Sequence, residues 1–440
     1  MRPIQTLLSS RYIVPVEPID CILENHSIAI DNGRILEILP TEQAHQQFNA
    51  KTTLEYDQHI LMPGLINAHT HAAMSLLRGF AADLPVIDWL EQHIWPAEAK
   101  WVDETFVRDG TELAIAEMLR GGTTCFNDMY FYPEITARVA SGIGMRAVVG
   151  MIIMTFPTRY ASTADEYFSK SLLLFDEYKS DPLIRCIFAP HAPYSVPDSI
   201  FAKINSYANE LDLQVHMHVH ESQSEIENSL QEYGIRPLAR LEKLGLVNPN
   251  LLAVHMTHLN QEELTLLADS GTSVITCPES NLKLSNGFCH THSLLEHGIQ
   301  LAIGTDGCAS NDDLDMFSEM RTASLLAKGI SRDPTAFSAQ QTIQAATINA
   351  AHALGLGEEI GSLKKDKSAD IIAIRCDTVE SQPIYDIYSH LVYSTSRERV
   401  CDAFVAGRQL LRDRTLTSIS EDEIISKAHH WSEKISPKAL

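Results

Sequence analysis

The stretch 62-MPGLINAHTHAAM-74 decides how this chain is interpreted. An apolar run from Leu61 to Ile66 leads to two histidines, His69 and His71, which are one residue apart. Side chains i and i+2 of a strand point to the same face, so both imidazoles would point the same way. Two such imidazoles are poor core residues and good ligands for a metal ion. The alternative interpretation is a pair of exposed loop histidines.

The middle of the chain, about residues 61–361, alternates short apolar runs with longer amphipathic segments. This alternation predicts parallel strands that are each followed by a helix. About eight such units over about 300 residues are typical of a (β/α)8 TIM-type barrel, and we predict this α/β fold. A doubly wound sheet is disfavoured because no G-x-G-x-x-G follows an early strand.

Both ends of the chain differ from this middle part. Residues 1–60 contain short strand-like segments around Asp31-Asn32-Gly33, which is a hairpin signal. The C-terminal part is similarly rich in β-type runs, with a turn at Ala406-Gly407-Arg408. The last twenty residues, 421–440, are predicted to form a helical tail.

Composition limits the function classes. The net charge is −23, from 34 basic and 57 acidic residues, which argues against nucleic acid or anionic membrane as a partner. The eight cysteines include no Cys-x-x-Cys pair, so we expect reduced thiols in a cytosol. The N-terminus lacks the features of a signal peptide, and no apolar run is long enough to span a membrane. We therefore expect a cytoplasmic protein.

Titratable side chains recur at the predicted carboxyl ends of several strands. Barrel enzymes place their active sites at this face, so the pattern predicts a metal site at the rim. The side chains are His69, His71, His191, His218, Glu221, His255 and Asp306.

The fifth predicted strand offers three histidines of one parity, His216, His218 and His220. We favour His218 as the metal ligand because Glu221 follows it three residues later, at a neighbouring height of the rim. His216 would then lie deeper in the barrel as a hydrogen-bonded interior residue. His220 is the rival ligand.

Asp306 ends its predicted strand in G-T-D-G, where an Asx turn is the plain alternative to a ligand or proton-relay role. His255 is either a fourth nitrogen ligand or a donor to a metal-bound water. Three imidazoles and one carboxylate favour one divalent metal per subunit, with zinc first and iron or manganese as alternatives. A second metal would need a lysine on a middle strand, and Lys179 and Lys203 both lie outside that strand.

These residues together resemble the amidohydrolase superfamily over nearly the whole chain. In detail the chain looks like the branch that deaminates 5′-methylthioadenosine and S-adenosylhomocysteine. The superfamily motifs are P-G-L-I-N-A-H-T-H (63–71), H-V-H-E-S (218–222), His255 and G-T-D-G (304–307). The branch motifs are D-W-L-E-Q-H-I-W-P-A-E (88–98), G-G-T-T-C-F-N-D-M (121–129), A-P-H-A-P-Y-S (189–195) and S-N-D-D-L-D-M-F-S-E-M-R (310–321).

The resemblance also implies a domain organisation. The stretch G-S-L-K-K-D-K-S-A-D (361–370) is similar to the superfamily's return from the barrel into a small β-sandwich built from both termini. This implies a composite sandwich of residues 1–60 and 362–420 beside a catalytic barrel of residues 61–361. Relatives are commonly dimers or tetramers, so a homo-oligomer is expected.

The resemblance implies a role for each site residue. His69, His71, His218 and Asp306 would hold the metal, and His255 would hydrogen-bond the attacking hydroxide. Glu221 would shuttle protons, and Asp306 would pass a proton to the leaving amino group. The implied substrate contacts are Glu98 to the ribose diol, His191 near the ribose, Glu221 to the purine, and Arg159 to the 5′ substituent.

The expected activity is therefore hydrolytic deamination of an adenine nucleoside to its inosine-type product and ammonia. Methylthioadenosine, S-adenosylhomocysteine, 5′-deoxyadenosine and adenosine all remain open as substrates. The rival is a deaminase or chlorohydrolase of a free purine base or an amino-triazine, against which Glu98 argues. A non-catalytic barrel relative is disfavoured because no predicted metal ligand is missing.

Overall fold

The β-strands form two eight-stranded sheets in the computed structural model, which describes residues 1–84 and 86–435. In chain order the strands are β1 (Arg2–Ile13), β2 (Leu23–Asp31), β3 (Arg34–Pro40), β4 (Phe48–Pro63), β5 (Leu65–Thr70), β6 (Thr123–Met129), β7 (Arg146–Ile153), β8 (Ile184–Pro190), β9 (Val215–Val219), β10 (Leu251–His255), β11 (Ser273–Thr276), β12 (Leu301–Ile303), β13 (Ile371–Arg375), β14 (Val400–Val405), β15 (Arg408–Arg412) and β16 (Thr415–Leu416).

Most α-helices follow strands of the second sheet. In chain order they are α1 (Thr41–Gln47), α2 (Val86–Trp89), α3 (Trp95–Trp101), α4 (Glu104–Arg120), α5 (Pro133–Ile143), α6 (Ala164–Tyr178), α7 (Asp198–Leu211), α8 (Gln223–Tyr233), α9 (Pro237–Lys243), α10 (Gln261–Ser270), α11 (Pro278–Lys283), α12 (Thr291–Glu296), α13 (Cys308–Asn311), α14 (Met316–Ser331), α15 (Ala339–Ala345), α16 (Ile348–Ala353), α17 (Ile387–Ser389) and α18 (Glu421–Ile435).

The second sheet is the predicted barrel. Strands β5 to β12 lie side by side in chain order, and each pairs in parallel with the next. The ends of the sheet meet where the N–H of Asp306, just after β12, donates to the carbonyl of His69 in β5 at 3.0 Å. The prediction of a (β/α)8 TIM-type barrel is therefore confirmed, and the carboxyl ends of its strands share one rim.

The first sheet combines both ends of the chain. Its strand order is β16-β15-β14-β13-β4-β1-β2-β3, so β13 pairs with β4. Neighbouring residues of β1 face opposite sides, because Leu7 and Leu8 are both buried but belong to different apolar clusters. This is the predicted sandwich from both termini, although β1 and β4 are longer than the short strands expected.

The stretch that decided the fold crosses between the sheets at Gly64. Strand β4 ends at Pro63 in the terminal sheet, and β5 begins at Leu65 in the barrel, so the apolar run is not one strand. A Cβ on Gly64 would lie 2.0 Å from Oγ1 of Thr124, so only glycine fits this crossing.

The domain boundaries remain predictions. They are residues 1–60 with 362–420 for the sandwich and residues 61–361 for the barrel.

Two predicted turns are present as tight hairpins. Asn32 and Gly33 both have positive φ, 50° and 75°, as a two-residue hairpin turn between β2 and β3 requires. Ala406 and Gly407 do the same between β14 and β15. By contrast, the amphipathic segment near 224–245 is two helices, α8 and α9.

Helix α18 covers most of the predicted tail, and residues 436–440 lie outside the described residues. Trp431 is buried, and its indole N–H donates to Asp109 at 3.0 Å. Its ring contacts Phe106 of α4 edge-on at 5.1 Å. In the described ranges no helix is both long and apolar enough to cross a membrane.

A buried ion pair joins the two sheets. Arg146, the first residue of β7, donates to both carboxylate oxygens of Asp370 at 2.8 and 3.2 Å, and both side chains are buried.

Asp370→Asn leaves the guanidinium uncompensated, so we expect the free energy of unfolding to fall by about 3–5 kcal/mol. Urea unfolding checks this against Asp413→Asn, whose exposed carboxylate should matter by less than about 0.5 kcal/mol. Equal losses in the two variants would contradict a role for the buried pair.

Candidate metal centre and active site

Five titratable side chains meet at the carboxyl rim of the barrel. Their potential ligand atoms form two overlapping groups in which all atoms lie within 4.8 Å of one another. The first group is His69, His218 and His255, and the second is His69, His71 and Asp306. The rim of a parallel barrel brings these strand ends together although they are far apart in sequence.

The contacts inside this cluster are short. Nε2 of His71 lies 3.1 Å and Nε2 of His69 lies 3.3 Å from Oδ1 of Asp306. Nε2 of His218 lies 3.2 Å from Nε2 of His69. One carboxylate oxygen and three ring nitrogens therefore face one small space, which is the donor set that a divalent metal such as zinc binds.

Backbone carbonyls fix which nitrogen of each ring faces inward. Nδ1 of His71 donates to the carbonyl of Met129 at 2.5 Å, and Nδ1 of His218 donates to the carbonyl of His191 at 2.8 Å. Because a carbonyl only accepts, the proton of each neutral ring is on Nδ1 and the lone pair is on Nε2. In the neutral form of each ring the lone pair therefore points into the cluster, as it does in histidines that bind metals.

Asp306 is held by hydroxyl groups. Its Oδ2 accepts hydrogen bonds from Ser280 at 2.6 Å and Ser310 at 2.9 Å. Its φ of 66° is in the left-handed region, which turns the chain sharply after β12. The carboxylate is thereby fixed with Oδ1 toward His69 and His71.

The electrostatics of the cluster favour a cation beside Asp306. Burial lowers the pKa of His69 well below its ordinary value and lowers that of His218 to about 4, so both rings are neutral. Burial would also lower the pKa of His71, but its hydrogen bond and ion pair with Asp306 outweigh burial and raise it to about 9. Against burial, the hydrogen bonds with His69 and His71 and the charge of His71 hold the pKa of Asp306 well below its ordinary value.

His255 and Glu221 lie beside this cluster. Nδ1 of His255 lies 2.9 Å from Oδ1 of Asn281, and its Nε2 lies 4.0 Å from Oε1 of Glu221. Asn286 donates to that same carboxyl oxygen at 3.0 Å. Burial raises the pKa of Glu221, which favours the protonated form that a general acid needs.

The three histidines near β9 have different surroundings. Nε2 of His216 lies 3.0 Å from Nδ1 of His69, so His216 is behind the cluster in the barrel interior. His220 follows the end of β9 with a φ of 53°, and its Nε2 accepts from the N–H of Leu238 at 3.2 Å. The alternation of side-chain faces along β9 predicted that His220 could point inward with His216 and His218. Because β9 ends at Val219, this alternation does not extend to His220.

A cavity of about 110 Å³ opens from the cluster. Glu98 of α3 lines it, and the hydroxyl of Tyr130 donates to Oε1 of Glu98 at 2.8 Å. Burial raises the pKa of Glu98 to about 7, partly offset by that hydrogen bond. His191 also lines the cavity, with its Nδ1 3.2 Å from the hydroxyl of Ser195. The apolar part of the lining includes Met74, Trp89, Leu90, Ile94, Trp95, Phe131, Ile152, Met154 and Phe156.

A second, largely apolar cavity of about 650 Å³ adjoins the first. The two share Trp95, Glu98, Phe131 and Phe156. Arg159 lines only the second, where it donates to the carbonyl of Lys100 at 3.0 Å and lies 3.7 Å from the carboxylate of Asp103.

Several residues of the site were not singled out from the sequence. Tyr130 follows β6 directly, so its position after a barrel strand was a usable signal. The others lie in loops or short helices with no pattern of their own, and they are Ser280, Asn281, Asn286 and Ser310.

Comparisons with known proteins agree with this geometry. The sequence model of the Amidohydrolase family matches residues 60–410. The chain is 47% identical over 431 residues to a 5-methylthioadenosine/S-adenosylhomocysteine deaminase of Teredinibacter turnerae, covering 98% of each chain. It is 46% identical over 433 residues to the protein so named in Saccharophagus degradans, covering 98% of this chain and 97% of the other.

The fold also matches a solved structure. A crystal structure of an adenosine deaminase from Xanthomonas campestris with bound zinc superposes with a TM-score of 0.98. The two sequences are 48% identical, and the match covers 99% of both chains.

Proposed function

Because this chain belongs to the amidohydrolase family, we propose that its barrel rim hydrolytically removes the amino group from the adenine ring of a nucleoside. The products are ammonia and the inosine-type nucleoside. The observation that carries this proposal is one cavity that is lined by residues of the metal-donor cluster, by Glu221 and by the partly buried Glu98. Relatives named as deaminases of adenine nucleosides support it.

We propose that His69, His71, His218 and Asp306 hold one divalent metal, and that the ion is zinc, with iron or manganese as substitutes. The inward lone pairs and the carboxylate oxygen match the ligands that zinc prefers. The zinc in the Xanthomonas campestris relative also supports this choice. Such an ion supplies a hydroxide nucleophile near neutral pH.

The chain's own groups then move the protons. Glu221 protonates N1 of the purine, which makes C6 electrophilic enough for the attacking oxygen to bond to it. His255 hydrogen-bonds that oxygen and stabilises its developing charge. Asp306 accepts the proton of the attacking hydroxide and delivers it to the amino group, so the C6–N bond breaks and neutral ammonia leaves.

Glu98 selects a nucleoside over a free base. Tyr130 occupies Oε1 of Glu98, which leaves Oε2 to accept hydrogen bonds from the ribose hydroxyls. A substrate that lacks the diol would lose these hydrogen bonds. It would also cover Oε2 of Glu98 without giving it a partner, which costs additional free energy. His191, which lines the same cavity, is the proposed second contact near the ribose.

The adjoining cavity favours an uncharged 5′ substituent. Its walls next to Glu98 are the aromatic rings of Trp95, Phe131 and Phe156, which suit a thioether. An amino-acid tail would have to draw Arg159 away from Asp103 to find a partner for its carboxylate. We propose methylthioadenosine as a better substrate than S-adenosylhomocysteine.

We also propose the cellular compartment, the partner and the oligomeric state of the protein. Every cysteine of the described chain is a free thiol, and seven are buried, which suits a reducing cytoplasm. With a net charge of −23 the expected partner is the small-molecule substrate and not nucleic acid. We propose a homo-oligomer, a dimer or a tetramer.

A substrate panel tests the function. Ammonia release by the zinc-loaded protein is measured with methylthioadenosine, S-adenosylhomocysteine, 5′-deoxyadenosine and adenosine, and with guanine, 8-oxoguanine and an amino-triazine as rivals. We expect turnover of the nucleosides alone, with kcat/KM for methylthioadenosine about 10-fold or more above S-adenosylhomocysteine because of apolar burial. Arg159→Ala should leave the methylthioadenosine rate unchanged. Turnover of only the rivals would contradict the proposed function.

The pH dependence tests Glu98. Its pKa of about 7 means that the carboxylate is mostly ionised at pH 8 and mostly protonated at pH 6, where it loses its strength as an acceptor. The ratio of kcat/KM for adenosine to that for 2′,3′-dideoxyadenosine should therefore fall about 10-fold from pH 8 to pH 6. Effects of Glu221 cancel in this ratio, and Glu98→Gln should abolish the fall. A ratio that is constant in the wild type would exclude Glu98 as the ribose contact.

A further inference from the structure

The turn that carries Glu221 is strained and needs to be held. Strand β9 ends at Val219, and His220 adopts a φ of 53°, in the left-handed region that non-glycine residues rarely occupy. Such a conformation persists only where the surroundings impose it. The position of the Glu221 side chain therefore depends on whatever fixes this turn.

Glu225 reaches back to this turn from helix α8. Its buried carboxyl group accepts the N–H of His220 on Oε1 at 3.1 Å and the N–H of Glu221 on Oε2 at 2.8 Å. Ser222 is the N-cap of α8, and Glu225 is at position N3. In an ordinary capping box the N3 side chain bonds the N-cap N–H, whereas here it bonds the two residues before it.

Thr257, just after β10, holds the same turn from the other side. Its hydroxyl lies within hydrogen-bond distance of the carbonyls of His220 at 2.8 Å and Glu221 at 2.9 Å. Its backbone N–H also donates to the carbonyl of His220 at 3.0 Å. The peptide groups on both sides of Glu221 are thus fixed by partners outside the turn.

We propose that Glu225 is a positioning residue for the deamination reaction. It fixes the backbone of Glu221 so that the Glu221 carboxyl group stays between Asn286 and His255, where it exchanges protons with the purine. This proposal rests on the proposed function of Glu221. Small displacements of an acid–base group cost rate steeply, because the proton donor and acceptor must be within hydrogen-bond reach.

A matched control exists in helix α6. Glu166 is also at position N3, and it bonds the N–H of Ser162, the residue before the N-cap Thr163, at 2.8 Å. Like Glu225, it therefore accepts a backbone N–H from before the N-cap, but the residue that it holds has no proposed role in catalysis. Glu166→Gln reports the cost of losing such a cap bond together with the exposed ion pair between Glu166 and Lys170.

The first test compares Glu225→Gln with Glu166→Gln. Glutamine has one acceptor and one donor end, so it cannot accept from both N–H groups. We expect kcat of Glu225→Gln to fall about 10- to 100-fold, with KM and bound metal within about 2-fold of the wild type. Glu166→Gln should keep kcat within about 2-fold. A loss of metal, or a rise of KM alone, would overturn the positioning role.

A double-mutant cycle makes the test specific. If Glu225 acts only through Glu221, then Glu225→Gln should lower the residual kcat by less than about 3-fold in a Glu221→Gln background. An equal loss in both backgrounds would overturn the proposal and indicate a general structural effect. The cycle uses whichever panel substrate the wild type turns over. If that substrate is not an adenine nucleoside, the proposed function is wrong, but the positioning role of Glu225 is still tested.

Hydrogen–deuterium exchange provides a readout that needs no turnover. Peptides covering residues 219–223 should exchange faster in Glu225→Gln than in the wild type, while peptides of the neighbouring strand β10 stay unchanged. Glu166→Gln should leave residues 219–223 unaffected. Unchanged exchange at residues 219–223 in Glu225→Gln would overturn the proposal even if no substrate is found.

Discussion

The structure depends on one electrostatic constraint, the convergence of ring lone pairs and a carboxylate in a buried space. His69 lies 3.3 Å from Asp306 and 3.2 Å from His218, and His71 lies 3.1 Å from Asp306. The Nδ1 atoms of His71 and His218 point away from the cluster, toward backbone carbonyls. Burying such groups without a counter-charge is costly. A shared cation removes that cost, and the barrel makes the sharing possible because it brings the ends of β5, β9 and β12 to one rim.

Backbone strain is concentrated at the same rim. His220, His255 and Asp306 all have positive φ. His255 ends β10, His220 follows β9 directly, and Asp306 lies three residues after the end of β12. The left-handed turn changes the direction of the chain within one residue, which redirects side chains that strand geometry would place elsewhere. Bonds from Thr257 and Glu225 hold the first of these turns. The stability of the barrel thus supports the strained geometry on which the proposed chemistry depends.

Local patterns predicted much of this arrangement, and tertiary contacts decided the rest. The barrel and the turn at Asn32 follow from periodicity and turn chemistry, which are local. The crossing at Gly64 depends on Thr124, a residue sixty positions away, and no local pattern reveals it. The parity argument for His220 failed because the strand ends one residue earlier. The pairing of Arg159 with Asp103 likewise depends on the folded chain.

The metal-binding role of the rim can be tested by anomalous diffraction from crystals of the zinc-loaded protein, recorded at the zinc absorption edge. We expect one peak at the rim, about 2.0–2.3 Å from Nε2 of His69, His71 and His218 and from an oxygen of Asp306. His255 should lie beyond coordination distance from this peak. A peak coordinated by His255 in place of His71, a second peak beside the first, or no peak at the rim would exclude this metal site.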